Sequence, residues 1–207
     1  MEEYSIPVLN EREIRAAAGI MFLLLFLSLM LILFKRDFLL VKYVIVLFLT
    51  DFIIRVFVSP RYSPVLILAR SIVRYQSPEY VGASQKKFAW KIGLVLAALM
   101  FTLMVVMNTY SIITGVTCLV CLVFLFFESS FGICLGCLVY GLFYKKEIQY
   151  CAGEICKPAP RQAIQKISLA QVLIVLASIG FMALIITFFN GHFHAAPKNL
   201  NEVIHFN

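Results

Sequence analysis

The chain has 207 residues, of which 62% are hydrophobic and 14% charged, and it carries a net charge of +7. Soluble domains run at about 45–50% apolar and about 25% charged, and a chain this short cannot hide the excess in one core. The composition therefore argues against a soluble domain. With no RNA- or DNA-reading motif present, the basic excess fits loops facing anionic lipid rather than nucleic acid.

A membrane-spanning helix needs about 20 mostly apolar residues. The first candidate covers residues 16–34. It is read as a retained helix: Glu2, Glu3, Glu11 and Glu13 precede it instead of a basic region, and no small-residue cleavage site follows. The second candidate covers 38–58 and is closed by Ser59-Pro60. A basic segment follows, with Arg61, Arg70, Arg74, Lys86, Lys87 and Lys91 against Glu79. Within it, 64–75 reads as a short interfacial helix, with Val65, Leu68, Ala69 and Ile72 on lipid and Arg70 and Arg74 toward headgroups.

The third span covers 90–108, with Trp90 at an interfacial position. A short turn then leads into a long apolar run, 111–144, interrupted around Glu128 to Gly132. The last span covers 167–189 and precedes a polar tail. The segment 145–166 is basic, with Lys145, Lys146, Lys157, Arg161 and Lys166. Placing both basic segments in the cytoplasm predicts five spans, N-terminus inside and C-terminus outside. The rival count splits 111–144 into two spans and puts the second basic segment outside. The expected fold is all-α, a polytopic membrane helix bundle. Its parts are a four-span unit (1–146), a basic cysteine-containing loop (147–166), a fifth span (167–190) and a polar tail (191–207).

The six cysteines form three close pairs. Cys134 and Cys137 carry the sharpest signal. If a helix starts at Phe131-Gly132, Cys134 lies in its first turn, where free N–H groups and the helix dipole lower a thiol pKa. A thiolate attacks a disulfide or persulfide, or binds a metal, and Gly132 and Gly136 leave room for a partner to approach. The competing reading treats a cysteine as a small apolar residue packed in a helix. That reading is preferred for Cys118 and Cys121, since thiols in apolar surroundings are inert. For Cys151 and Cys156, in the basic loop, both readings stand. A further alternative gathers Cys134, Cys137, Cys151 and Cys156 around a tetrahedral zinc, which requires the loop to fold back.

Asp51 and Arg55 lie four residues apart, on one helix face, and can form an ion pair. Charges at that depth mark a polar pathway or a structural bridge, and the bridge is preferred here. Glu128 is read either as a pathway residue or as the partner of a loop arginine. His192, His194 and His205 are assigned to a solvated tail.

Taken in order, several pieces form a pattern: Asn10-Glu11-Arg12 with Arg15; Asp51 and Arg55; Arg61-Tyr62-Ser63-Pro64; Gly82-Ala83-Ser84-Gln85-Lys86-Lys87-Phe88-Ala89-Trp90, then Gly93; and Glu128 with Phe131-Gly132-Ile133-Cys134-Leu135-Gly136-Cys137 and Tyr140. The chain so read resembles the bacterial membrane proteins grouped as domain of unknown function 4395, over roughly residues 8–146. The resemblance implies a four-span unit ending soon after its Cys-x-x-Cys and brings no established activity. Its members resemble proteins that occur alongside thioredoxin-like or sulfurtransferase-like functions. Cys118, Cys121, Cys151, Cys156 and the fifth span lie outside the pattern.

Three functions are carried forward. In the first, Cys134 and Cys137 cycle between dithiol and disulfide or carry a persulfide, with Cys151 and Cys156 as a shuttle pair. The partner would be a thioredoxin-like or sulfurtransferase-like protein, and exchange would run through a mixed disulfide. A cytoplasmic pair is normally reduced, so it needs an oxidant or a sulfur donor. No quinone or haem motif is visible, and no cofactor is expected. In the second, Asp51, Arg55, Arg61 and Glu128 line a path for a small anion or sulfur species. In the third, the basic loops hold a soluble partner at the bilayer. The expected location is the bacterial inner membrane, multi-pass, with the N-terminus cytoplasmic.

Overall fold

The computed structural model describes residues 7–137, 139 and 167–199. Cys151, Cys156, His205 and the basic loop 147–166 lie outside the described residues.

A short strand β1 (Val8–Asn10) leads into α1 (Glu11–Lys35). The Asn10 side chain caps this helix by accepting from the Arg12 N–H, and Glu11 and Glu13 complement the dipole of its first turn. Arg36, at φ 54°, ends it. Helix α2 (Leu39–Ile53) widens into a π-type turn at Ile54–Val58. Ser63 then caps α3 (Pro64–Ile72), whose proline stands in the first turn, where no N–H is missed. Strand β2 (Tyr80–Gly82) pairs antiparallel with β1, Leu9 opposite Val81.

Helix α4 (Ala83–Met100) widens at Phe101–Val106, and β3 (Thr109–Tyr110) follows. Helix α5 (Ile112–Phe126) starts with a Ser111/Thr114 capping box and widens at Phe127–Phe131. A helical segment begins again at Leu135. Helix α6 (Leu169–Phe188) starts with a Ser168/Gln171 capping box. The short α7 (Asn190–His194) and β4 (Lys198–Asn199), parallel to β3, complete the described residues.

Four helices are long and apolar enough to cross a membrane: Glu11–Lys35, Ala83–Val106, Ile112–Phe131 and Leu169–Phe188. The stretch formed by α2 and its π turn carries three charges, Lys42, Asp51 and Arg55. Helix α1 is central. Its stripe Ile14, Ala17, Ala18, Met21 and Leu25, at helical spacing, is buried, and it packs on α2, α3 and α5. The outward faces are also apolar, with Leu33, Phe34, Phe57, Val95, Leu119, Leu173 and Phe188 exposed.

The bundle has two ends. One holds β1, β2, α3 and the start of α4. The other gathers the turn after α1, β3, β4 and α7: Phe38 stacks on Tyr110 with ring centroids 5.7 Å apart, and Tyr43 stacks on Phe193 at 4.9 Å. Two expectations are corrected here. In α3, Leu68 and Ile72 are exposed, but Val65 and Ala69 are buried, and Arg70 turns inward to Glu13 because that carboxylate offers a buried partner. The segment carrying His192 and His194 is packed rather than freely solvated. Phe193 is buried, the His192 imidazole meets the Val105 carbonyl, and Lys42 Nζ donates to the carbonyls of His192, Phe193 and Ala195 at 3.3, 3.3 and 2.8 Å. A lysine at a helix C-terminus satisfies carbonyls the helix leaves free.

Candidate functional site

Two buried charge clusters stand at the end of the bundle that holds β1 and β2. In the first, Lys86 from α4 reaches Glu11 of α1 at 2.8 Å and Glu128, in the π turn after α5, at 2.5 Å. One ammonium thus joins three helices. Glu128 was expected to pair with an arginine if it was structural, and its partner is Lys86 instead. Beside this cluster Arg70 donates to Glu13 at 3.1 Å.

The second cluster confirms that Asp51 and Arg55 pair, at 2.6 Å. Asp51 Oδ1 also accepts from Ser63 Oγ at 2.6 Å and from the Val65 N–H at 3.0 Å. Ser63 Oγ in turn accepts from Arg55 Nε at 3.2 Å. The group clasps the end of α2 to the start of α3. The Arg55 guanidinium lies 5.4 Å from the Phe52 ring centroid and 5.5 Å from that of Trp90, so its charge is also met by aromatic faces.

The cysteine pair follows from the way α5 ends. Gly132, at φ 67°, closes the π turn in the left-handed region. Arg15 of α1 donates to the Ser130 carbonyl at 3.2 Å, and its guanidinium would lie 3.3 Å from a Cβ on Gly132. The chain is thereby redirected, and helix resumes at Leu135. Cys134 therefore precedes that helix rather than lying in its first turn. Its Sγ accepts from the Cys137 N–H at 3.2 Å, as a capping side chain does. Cys134 and Cys137 are joined as a disulfide, with Cα atoms 5.1 Å apart. Gly136 is held so close to α4 that a Cβ there would lie 2.6 Å from Ala89 Cβ and 2.8 Å from its Cα.

A cavity of about 100 Å³ runs between α1, α2, α4 and α5. Its polar end is formed by Cys134, Glu128, Lys86, Arg55 and Trp90. Its walls are apolar, including Met21, Phe48, Phe52, Ala97 and Phe124. Cys118 and Cys121, both free thiols on α5, border the same space. Of the four residues expected to line a path, Arg55 and Glu128 reach the cavity. Asp51 lies behind Arg55, and Arg61 sits in the turn before α3, where its carbonyl accepts from Gln171 Nε2 of α6 at 3.1 Å. Among the described residues no group of three or more His, Cys, Asp or Glu is placed to hold a metal ion.

A family model described as a domain of unknown function, number 4395, matches residues 9–145. The chain belongs to that family. The family segment contains both charge clusters, the cavity and the disulfide, and the described residues after it, α6 to β4, pack against it as an addition. Neither the curated proteins nor the solved structures provide a match to the chain.

Sequence reasoning missed Lys86 and Lys42 as structural centres. For Lys42 the signal was available: a lone lysine inside an apolar run needs a buried partner. For Lys86 it was not, because Glu11 and Glu128 lie 75 and 42 residues away in the chain.

Proposed function

We propose that this chain is a five-span protein of the bacterial inner membrane whose Cys134–Cys137 pair exchanges electrons with thiols. The N-terminus and both basic segments face the cytoplasm. The observation that carries the redox reading is the disulfide itself, set at a helix start beside a buried charge cluster and opening on an apolar cavity. A thiolate of a dithiol partner attacks one sulfur, the S–S bond breaks, and the other sulfur leaves as thiolate. The partner's second thiol then resolves the mixed disulfide. The pair ends as a dithiol and the partner, thioredoxin-like in this reading, as a disulfide.

The five-span topology draws support from the two small ladders. β1 and β2 bring residues 8–10 and 80–82 to one end, while β3 and β4 bring 109–110 and 198–199 to the other. Helix α2 connects these ends, so it crosses with the four apolar helices. The exposed apolar faces are surface that lipid solvates and water does not. A transport path gains little from the charges, since Asp51 and Arg55 neutralise each other and Lys86 holds both carboxylates.

Two experiments test the reading. A Cys134→Ser, Cys137→Ser double variant should fail to complement a deletion strain while accumulating in the membrane; full complementation would end the thiol reading. Single cysteines at positions 85, 155 and 200 should label from the cytoplasm, the cytoplasm and the outside. Labelling of 85 and 155 from opposite faces would contradict five spans.

A further inference from the structure

We propose that the cavity between α1, α2, α4 and α5 is a binding site for the head of a lipid-soluble quinone, which oxidises the Cys134–Cys137 dithiol. The inference rests on the thiol-exchange reading and supplies the oxidant that reading needs. Both cysteines are 8% exposed, and Cys134 borders the cavity, so the cavity is a route for a small reactant to that sulfur. A water molecule needs roughly 10–15 Å³ of such space, and a cavity of about 100 Å³ has room for a ring-sized group. Its apolar walls repel a charged thiol or a nucleotide and accept a ring with a prenyl tail. At the polar end, Trp90 and Phe52 offer flat faces, and Arg55 and Lys86 offer cationic donors at the level where ring carbonyls would lie. A lipid acyl chain would fit the walls but makes no use of that end.

The step balances without further reagents. Two S–H bonds break and one S–S bond forms between Cys134 and Cys137. The electron pair and both protons pass to the quinone, whose two carbonyl oxygens become the hydroxyls of a quinol. Glu128, on the cavity wall beside Cys134, is the group placed to relay a proton from thiol to oxygen. Quinol leaves, and the disulfide is ready for the next partner dithiol.

The test uses the full chain in nanodiscs of quinone-free phospholipid, reduced, freed of reductant and kept anaerobic. The probe is decylubiquinone or menadione. Trp90 is the one tryptophan in the chain and borders the cavity, so its fluorescence reports entry. Saturable quenching, and one quinol formed per disulfide, are expected. Ala97→Leu and Leu96→Phe narrow the cavity away from the cysteines and should each weaken quenching and slow quinone-driven oxidation about tenfold. Both should leave diamide oxidation of the pair unchanged, which also shows that each variant is folded. A pair that diamide oxidises and thioredoxin reduces, but that quinone neither oxidises nor approaches, overturns the quinone site and leaves thiol exchange standing. A pair that no reagent cycles overturns both. Linear, unsaturable quenching, equal in wild type and both variants, marks partition into lipid and overturns the site.

Discussion

Cys118 and Cys121 have the same spacing as Cys134 and Cys137, and both pairs border one cavity, yet the first pair is two free thiols and the second a disulfide. The difference lies in the backbone. Side chains three apart on a helix keep their Cβ atoms about 5–6 Å apart, whereas a disulfide needs about 3.5–4.5 Å. Cys118 and Cys121 are both inside α5, so the helix itself holds their sulfurs apart. Cys134 stands outside the helix that contains Cys137, because Gly132 has redirected the chain. Freed from helical geometry, it can swing its Sγ over the first turn. The pair's chemistry is thus set by how α5 ends, and the Arg15 and Lys86 contacts to 128–130 fix that ending.

The sharpest way to break this comparison is to exchange sulfur for oxygen at each pair. Cys134→Ser or Cys137→Ser should abolish thiol exchange altogether, read as loss of reaction with reduced thioredoxin. Cys118→Ser and Cys121→Ser should retain it, and all four proteins should reach the membrane. Equal losses in both pairs would show that position relative to the helix start is irrelevant.

Next in size are the charges that hold this end. Lys86→Gln leaves Glu11 and Glu128 facing each other without their cation. Removing one partner of a buried pair costs about 3–5 kcal/mol, so a large drop in Tm or yield is expected by thermal-shift measurement in detergent. Asp51→Asn should cost a similar amount, and adding Arg55→Gln should restore part of it. A double variant as unstable as the sum of its singles would show that the two do not act as a pair.

The glycines near each pair give the smaller effects. Gly136→Ala forces a methyl into the Ala89 backbone of α4 and should cost about 1–3 kcal/mol, the range for overpacking. Gly115→Ala, three residues before Cys118, meets nothing within 4 Å and should be neutral or stabilising by up to about 1 kcal/mol. Paired thermal melts of the two variants separate these signs.

Local pattern carried most of what could be read beforehand. Apolar run length located the membrane-scale helices, and four-residue spacing gave the Asp51–Arg55 pair. Ordered short motifs gave the family, and the Gly132 to Cys137 stretch marked the reactive pair. What escaped was contact between distant segments. Nothing near Lys86 announces Glu11 or Glu128, and nothing near Lys42 announces the carbonyls of 192–195. The inward turn of Arg70 depends on Glu13, which a helical-wheel reading of α3 alone cannot contain. The three π-type turns, two of which present Arg55 and Glu128 to the cavity, have no composition signature.

The central claim is that Cys134 and Cys137 form a reversible disulfide while Cys118 and Cys121 do not. Residue-resolved maleimide labelling of the purified, folded chain, read by mass spectrometry before and after thioredoxin treatment, tests it directly. The account predicts that Cys134 and Cys137 are both blocked before treatment, both labelled after it, and blocked again on reoxidation, with Cys118 and Cys121 unchanged throughout. Free thiols at Cys134 and Cys137 in the oxidised protein, or a disulfide there that thioredoxin leaves intact, would contradict it.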